Sequence, residues 1–513
     1  MSTPLPPAPR PADEWPWLLG LAALVAGAWA AGLTPLMHWG DDWAGYLLQA
    51  RALVEGRVDA ELATNTVAMD GGDVQIGPYA YPWGYPLLLA AAGLASGWSI
   101  VGLKAVGGLS LLVLAASTYA LARLHVGRAL AVFATLAVAM QPAVVLDASY
   151  LGSDVPFTAL SALALLLVFM QWRRAAAGQR WSTALMLSVA LVGASAFAVR
   201  SNGAVIPCTY AAMLGLAALR GSQAWRATLL HGAAFAAVMS ALVALYFAAL
   251  PDGSLVHASY LTTDPGVWAR RALAHVHAIA TWVTFKTLLG PGKLLPLGLM
   301  LALMAWGVLR RPWEGAIALV YLALHLALLT VFPFDGGERY YHPLLPAAGL
   351  LLVFGCAGAR EALARRLGAE RARSLAQGLA VVAPALVALL MLVKIRTDQQ
   401  SYADPGVEAP FAPATTEVMT YVREHAPAGA RIAFFRPRAF RLLTDRVAFA
   451  INQPQNLDRV DWYVFNGGTS DPRTQVQEPP LRASGAFRLE YDRPPYRIYV
   501  RRPTAGPSPR GIP

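Results

Sequence analysis

Eleven apolar runs recur along the 513-residue chain, and a hydrocarbon core about 30 Å thick takes about 20 such residues per helix. The runs lie near 16–37, 101–122, 129–146, 154–171, 182–199, 203–219, 228–250, 294–309, 315–332, 343–359 and 375–394. Only 14% of the residues are charged while 56% are hydrophobic, against about 25% and about 45–50% in an ordinary soluble domain. That leaves too little charge to cover a water-soluble surface. An ordinary cytosolic enzyme, a disordered chain and a disulfide-stapled secreted domain are excluded. The run 16–37 is too long for a signal-peptide core and lacks a small-residue cleavage pattern, so it reads as an anchor.

Arginine sets the expected orientation. The connectors Arg123–Arg128, Arg173–Arg180, Arg220–Arg226, Arg310–Arg311 and Arg360–Arg373 are basic, and they alternate with connectors that are not. Basic connectors face the cytoplasm. The N-terminus is then inside, and 38–100, 147–153, 200–202, 251–293 and 333–342 face outward. The net charge of +11 therefore reflects topology and does not imply nucleic acid. Cys208 and Cys356 both sit in apolar runs, and no disulfide is expected between them. Residues 84–98 are apolar but short. Counting them as a span would invert every later connector, so they read as a juxtamembrane or half-inserted outer helix.

The expected fold is a polytopic α-helical membrane protein of about 11 transmembrane helices with outer juxtamembrane helices and a small C-terminal α/β extracytoplasmic domain. Its parts are a cytoplasmic tail (1–15), a transmembrane domain (16–396, with 38–100 as first outer loop) and the outer domain (397–513). In that last part Glu417–His425 has helical periodicity. Arg431–Phe435 and Trp462–Phe465 look like strands, and Phe487–Tyr491 with Tyr496–Val500 reads as a hairpin.

The outward segments hold the unusual residues. Asp41 and Asp42 follow His38-Trp39-Gly40 directly outside the first span. Two carboxylates there can meet a lipid headgroup and a water-borne acceptor; equally, they can cap the helix that follows. That helix, Trp43–Glu55, has apolar spacing suited to lying along the interface. Tyr81-Pro82-Trp83-Gly84-Tyr85-Pro86 opens the short apolar helix. Asp147 and Asp154 flank a tight turn in which Ser153 or Asp154 can cap the next helix. Arg200 ends a span on the outer side, where a phosphate partner or snorkelling would account for it. Asp335 to Pro343 crowds an acid pair, Arg339, Tyr340, Tyr341 and His342 into one connector. The 251–293 connector adds Arg270, Arg271, His275, His277, Lys286 and Lys293.

In this order the segments resemble the GT-C superfamily of glycosyltransferases, nearest the bacterial group related to protein O-mannosyltransferases and aminoarabinose transferases. Gly40-Asp41-Asp42 with Tyr46, Ala50-Arg51 and Glu55-Gly56 resembles its acidic motif, although Asp42 stands where Glu is common. Tyr81-Pro82 to Ala90, Leu121–Arg128, Ser153-Asp154-Val155-Pro156 and Glu338-Arg339-Tyr340 to Pro346 resemble later motifs. Val155 interrupts the usual Ser-Glu-Pro. The likeness covers most of 15–360 and rests on the ordered set.

The resemblance implies a polyprenyl-phosphate sugar donor, inverting transfer to an unknown glycan, lipid or protein hydroxyl, and a site on the outer face of the bacterial inner membrane. Asp41 would be the base, with Asp42 assisting. Arg339, then Arg200, with Lys293, Lys286 and Arg51 as further candidates, would stabilise the phosphate leaving group. Asp154, Tyr81, Tyr340 and His342 would bind substrate. A divalent metal is allowed without assigned ligands; no nucleotide cofactor and no nucleic-acid partner are expected. The competing classes are a transporter or flippase of a lipid-linked glycan, a polysaccharide polymerase or ligase, and a non-catalytic binding protein. Charges at span ends and the lack of a visible repeat speak against a transporter.

Overall fold

A computed structural model describes residues 11–35, 37–251, 261–283, 294–332, 337–367, 369–402, 409–468 and 473–503. Every one of the apolar runs meets a helix, from Pro11–Ala30 to Ala369–Tyr402. Among the described residues six helices are long and apolar enough to cross a membrane, or seven if one bent pair counts as a span. The expected count of eleven is thus not established by length and composition. The chain divides into two compact units, Met1–Thr34 with Pro82–Tyr402 and Pro35–Tyr81 with Ala403–Pro513.

In the first unit, helix length follows the apolar pattern except where local chemistry interrupts it. The run 129–146, read as one span, is two helices, Arg128–Ala139 and Pro142–Ala148, bent by 58°. Pro142 has no N–H to continue the ladder, and the Gln141 side chain caps the second helix by accepting from the Val144 amide at 3.1 Å. The short helix Gly84–Ser96 stops at Gly97, whose φ of 63° suits glycine. At about 1.5 Å per residue its 13 residues fall short of a bilayer core. The 251–293 connector holds a helix the apolar pattern did not mark, Pro265–Val283. Arg270, Arg271 and His275 keep the segment from being one continuous apolar run, while the exposed Leu273 and Val276 share the other side of the helix. Lys286 and Lys293 lie outside the described residues.

Small residues bring two of these helices together. A Cβ on Gly355 would lie 2.0 Å from the Leu303 carbonyl oxygen, and one on Gly307 would lie 2.5 Å from that of Leu351. The helices Leu294–Arg310 and Leu345–Leu367 therefore approach backbone to backbone, as small residues permit where no hydrophobic drive separates helix from lipid. Basic residues assigned to topology also bind locally. Glu14 accepts from Arg123 Nη2 at 3.0 Å and Arg128 Nε at 3.1 Å, and also from the Tyr119 hydroxyl.

The second unit joins the start of the chain to its end. Residues 35–81, read from the sequence as part of the membrane domain, contribute the helices Asp42–Glu55 and Val58–Asp70. Trp43 to Ala50 are all buried, so that stretch is not the half-exposed interfacial helix that its spacing suggested. The strands are β1 (Ile432–Ala433), β2 (Ala448–Phe449), β3 (Trp462–Asn466), β4 (Phe487–Arg493) and β5 (Tyr496–Arg501), in the order β2-β1-β3-β5-β4. β1 pairs in parallel with β2 and β3, and β5 runs antiparallel to β3 and β4. Alternate residues of β3 face opposite sides. Trp462 and Val464 join Val418, Val422, Phe434 and Phe440 in one core; Tyr463 and Phe465 join Phe449 and Ile451 in another. The first core buries the helix Pro413–His425 against the sheet. Trp39 packs its ring 5.6 Å from Phe434 and 5.0 Å from Phe435.

Gly355→Leu is expected to push the two closely packed helices apart and to lower stability by about 1–3 kcal/mol, as overpacking does. Thermal unfolding of the purified protein in detergent reads this. An unchanged transition would contradict the close backbone approach.

Candidate functional site

Two side-chain clusters collect the residues singled out above, one in each unit. In the first unit the elements end at a common group of charges. Arg200 follows the helix Thr183–Val199 in an extended conformation. Its guanidinium pairs with Asp154 at the first turn of Asp154–Ala176 and reaches Ser153 Oγ at 3.4 Å. The same guanidinium lies 5.0 Å from the centre of the Tyr340 ring, and that of Arg339 lies 5.6 Å from it. Tyr340 and Arg339 belong to the 3-10 stretch Gly337–Leu344. Fully buried His342 on that stretch meets Asp147 with Nε2 and Oδ2 2.7 Å apart. Tyr341 beside it shares a 2.7 Å hydrogen bond with His275 Nδ1. Arg200, Asp154, Arg339, Tyr340 and His342 thus come together as one cluster. The caps expected of Ser153 and Asp154 do not form: Ser153 is at the N-cap position without a side-chain cap bond, and Asp154 spends its carboxylate on Arg200.

Two guanidiniums around one aromatic ring concentrate positive charge. Cation–π contact holds the arginines within about 6 Å of a ring, and a guanidinium is suited to binding a doubly charged oxyanion. A cluster of this kind can receive a phosphate.

The second unit holds Asp41, Asp42 and Tyr81 around a residue the sequence reading did not single out, Arg438. Asp41 sits at the N-cap position of Asp42–Glu55 but makes no side-chain cap bond there. Instead, its Oδ1 accepts from the backbone amides of Arg438 at 3.0 Å and Ala439 at 3.3 Å, at the start of the helix Pro437–Thr444. Its Oδ2 lies 3.6 Å from Arg438 Nη1 and has no hydrogen-bond partner among the described residues. Arg438 Nη1 donates to the Tyr81 hydroxyl at 2.9 Å, and that hydroxyl donates to Asp42 Oδ1 at 2.6 Å. Arg438 Nε donates to Asn65 at 3.0 Å, and Nη2 donates to the Pro78 carbonyl oxygen. Next to it, Arg441 pairs with Glu61. No local pattern could have marked Arg438, because it meets Asp41 across 397 positions of sequence.

Burial raises the Asp41 carboxyl above the ordinary carboxylate range; Arg438, the Ala439 amide and Arg436 oppose this, and Asp42 adds to it. The phenol of Tyr81 is also pushed well up by burial, so it remains a hydrogen-bond donor. Burial disfavours the charge on Arg438, but Tyr81, Asp41 and Asp42 outweigh it and the guanidinium stays protonated. A buried carboxylate with a raised pKa and an uncommitted oxygen is suited to taking a proton. Among the described residues no three His, Cys, Asp or Glu side chains converge closely enough to hold a metal ion.

Asp41→Ala removes the acceptor for two amides and the partner of a buried guanidinium, an expected loss of about 3–5 kcal/mol. Asp41→Asn keeps an oxygen for the amides and is expected to cost less. Thermal unfolding of both variants orders them; equal melting of Asp41→Ala and the unsubstituted protein would contradict the buried pairing.

No family model matches the sequence, and no curated protein matches it. Solved structures do. ArnT from Cupriavidus metallidurans bound to undecaprenyl phosphate superposes with a TM-score of 0.59 at 13% identity, covering 96% of this chain and 99% of that one. The Archaeoglobus fulgidus oligosaccharyltransferase in complex with Zn and sulfate superposes with a TM-score of 0.58 at 13% identity, covering 94% and 73%. The same archaeal protein, AglB, with an inhibitory peptide and a dolichol-phosphate reaches 0.54 at 12% identity, covering 96% and 75%. The chain therefore shares its fold with ArnT and with the archaeal oligosaccharyltransferase.

Proposed function

We propose that the protein is an inverting glycosyltransferase that moves a sugar from a polyprenyl-phosphate donor to a hydroxyl acceptor on the outer face of the inner membrane. The observation that carries this reading is the pair of guanidiniums, Arg200 and Arg339, against Tyr340. It occurs on a fold shared with a protein solved with undecaprenyl phosphate. The alternating basic connectors support an N-terminus in the cytoplasm and the 403–513 segment outside.

In the reaction, the acceptor oxygen forms a bond to the anomeric carbon as the bond from that carbon to the phosphate oxygen breaks. The acceptor proton goes to a carboxylate, and the bonding pair leaves on the polyprenyl phosphate. Asp41 Oδ2 is the group we assign to the proton, and Asp42, fixed by Tyr81, is the assisting carboxylate. Arg339 and Arg200 neutralise the charge that the phosphate gains, a service that preorganised cations perform without reorganising. Asp154 holds Arg200 in place, His342 fixes the neighbouring stretch through Asp147, and Tyr340 presents both arginines.

Transfer of labelled sugar from a synthetic polyprenyl-phosphate donor, with the protein in nanodiscs and envelope extract as acceptor, tests the activity. Half-exposed Arg339 can be removed without disturbing a core; Arg339→Ala is expected to lower kcat/KM about 10²-fold. Full activity in that variant would overturn its assignment to phosphate. Asp41 works as a base only when ionised, and burial raises its pKa. Activity is therefore expected to fall on the acid side at a pH above the ordinary carboxylate range, and this limb should vanish together with activity in Asp41→Asn. Comparison of envelope glycans between a deletion strain and its parent by mass spectrometry identifies the acceptor; identical glycans would count against transfer.

A further inference from the structure

We propose that Arg438, supplied from the C-terminal segment, is a positioning residue for the carboxylate pair of the 38–81 segment, holding Asp41 directly and Asp42 through Tyr81. The inference rests on the glycosyltransferase reading for its catalytic meaning, but its geometric content stands within one compact unit.

Arg438 contacts Asp41 at two atoms. Its backbone amide binds Oδ1 at 3.0 Å, which turns the carboxylate, and its Nη1 stands 3.6 Å from Oδ2, which is left without a hydrogen bond among the described residues. The reach to Asp42 is directional. Because the Tyr81 oxygen accepts from Arg438 at 2.9 Å, its own hydrogen points to Asp42 Oδ1 at 2.6 Å. One carboxylate oxygen of each acid is thereby committed. The remaining oxygen of Asp41 has a guanidinium beside it, which favours the ionised form and withdraws no lone pair through a short hydrogen bond.

The surroundings are shaped to this one side chain. Nε and Nη2 are fixed by Asn65 and by the Pro78 carbonyl oxygen, on the helix Val58–Asp70 and the turn after it. A Cβ on Gly77 would lie 2.8 Å from Arg438 Nη1, and one on Gly45 would lie 3.0 Å from Arg438 Cδ. Gly77 also has a φ of 82°, a conformation other residues rarely adopt. Lysine cannot replace such a group, since a point charge cannot serve three acceptors held in a planar fork. A purely structural pin would not require it, because buried ion pairs are often replaceable by apolar side chains of similar volume. Arg438→Met is such a replacement.

The charged groups acting on Asp41 are Arg438 and Arg436 from the C-terminal segment and Asp42 from its own helix. Removal of one opposite charge at this distance is expected to raise the pH at which Asp41 ionises by about 1 unit or more. Two measurements on the full-length protein in nanodiscs test this. First, the melting temperatures of the D41N variant and the unsubstituted protein are compared across pH, alone and with Arg438→Met. A change in the pH at which the two curves part supports the proposal; the same crossing point with and without Arg438 overturns it, whether or not any transfer is seen. Second, sugar transfer is measured. Arg438→Met is expected to reduce kcat about 10²-fold with donor KM within about twofold, and to move the acid limb upward. Arg438→Lys should restore the limb but not the full kcat, and Tyr81→Phe should lower kcat with a smaller shift. An active Arg438→Met protein with an unmoved limb, or a loss of kcat that merely tracks the unfolded fraction, would overturn the positioning role. Absence of transfer in the unsubstituted protein would overturn the glycosyltransferase reading instead, leaving the melting comparison to decide the positioning.

Discussion

Hydrocarbon offers a backbone no hydrogen bonds, so a chain that crosses it must satisfy every amide and carbonyl within each segment. The first unit follows from that constraint. Its apolar runs are helices, and its breaks fall where a side chain can serve the exposed backbone. Gln141 caps the helix after the bend at Pro142, Ser99 accepts from the Gly102 amide and Ser182 from the Leu185 amide. Where two helices must approach closely, glycines remove the obstacle, as at Gly307 and Gly355.

A division of labour follows at the helix ends. The side-chain caps just named are neutral, whereas three acids at or near helix ends, Asp41, Asp154 and Asp147, are used elsewhere. Asp41 binds the first turn of a distant helix, Asp154 pairs with Arg200, and Asp147 meets His342. An ionised carboxylate in a poorly hydrated place gains more from a charged or doubly donating partner than from one local amide. A hydroxyl or amide side chain has no charge to satisfy and remains with its own helix. The acids that cap nothing locally are therefore the ones drawn into charged clusters, and the proposed chemistry is assembled from them.

The readable parts of the fold were those with a repeating signal. Apolar runs marked the helices, and alternation in Phe487–Tyr491 and Tyr496–Val500 marked the hairpin that became β4 and β5. The strands at 432 and 462 and the helix ending at His425 were also legible. The failures share a cause. Pro265–Val283 carries charged residues that break the continuous apolar run; Pro437–Thr444 is eight residues with two arginines, too short for periodicity to register; and β2 is two residues long. The bend at 140–142 is hidden because composition does not record direction. For the site, Asp41, Asp42, Asp154, Arg200, Arg339 and His342 stood out as charges or polar groups at the ends of apolar runs, while Asn65 and Arg438 had no such contrast with the polar segments around them.

The sequence by itself determined which long apolar segments are helices and which charges flank them, because burial in a bilayer depends on the local run of side chains. The tertiary structure alone decided which charge faces which. Arg200 meets Asp154 across 46 positions, and Arg438 meets Asp41 across 397. The energy of such a pair depends on distance and local dielectric, and neither exists until the segments have packed. The same packing placed residues 35–81 with the C-terminal segment, where the Trp39 ring meets Phe434 and Phe435 and the Asp41 carboxylate meets the amides of Arg438 and Ala439.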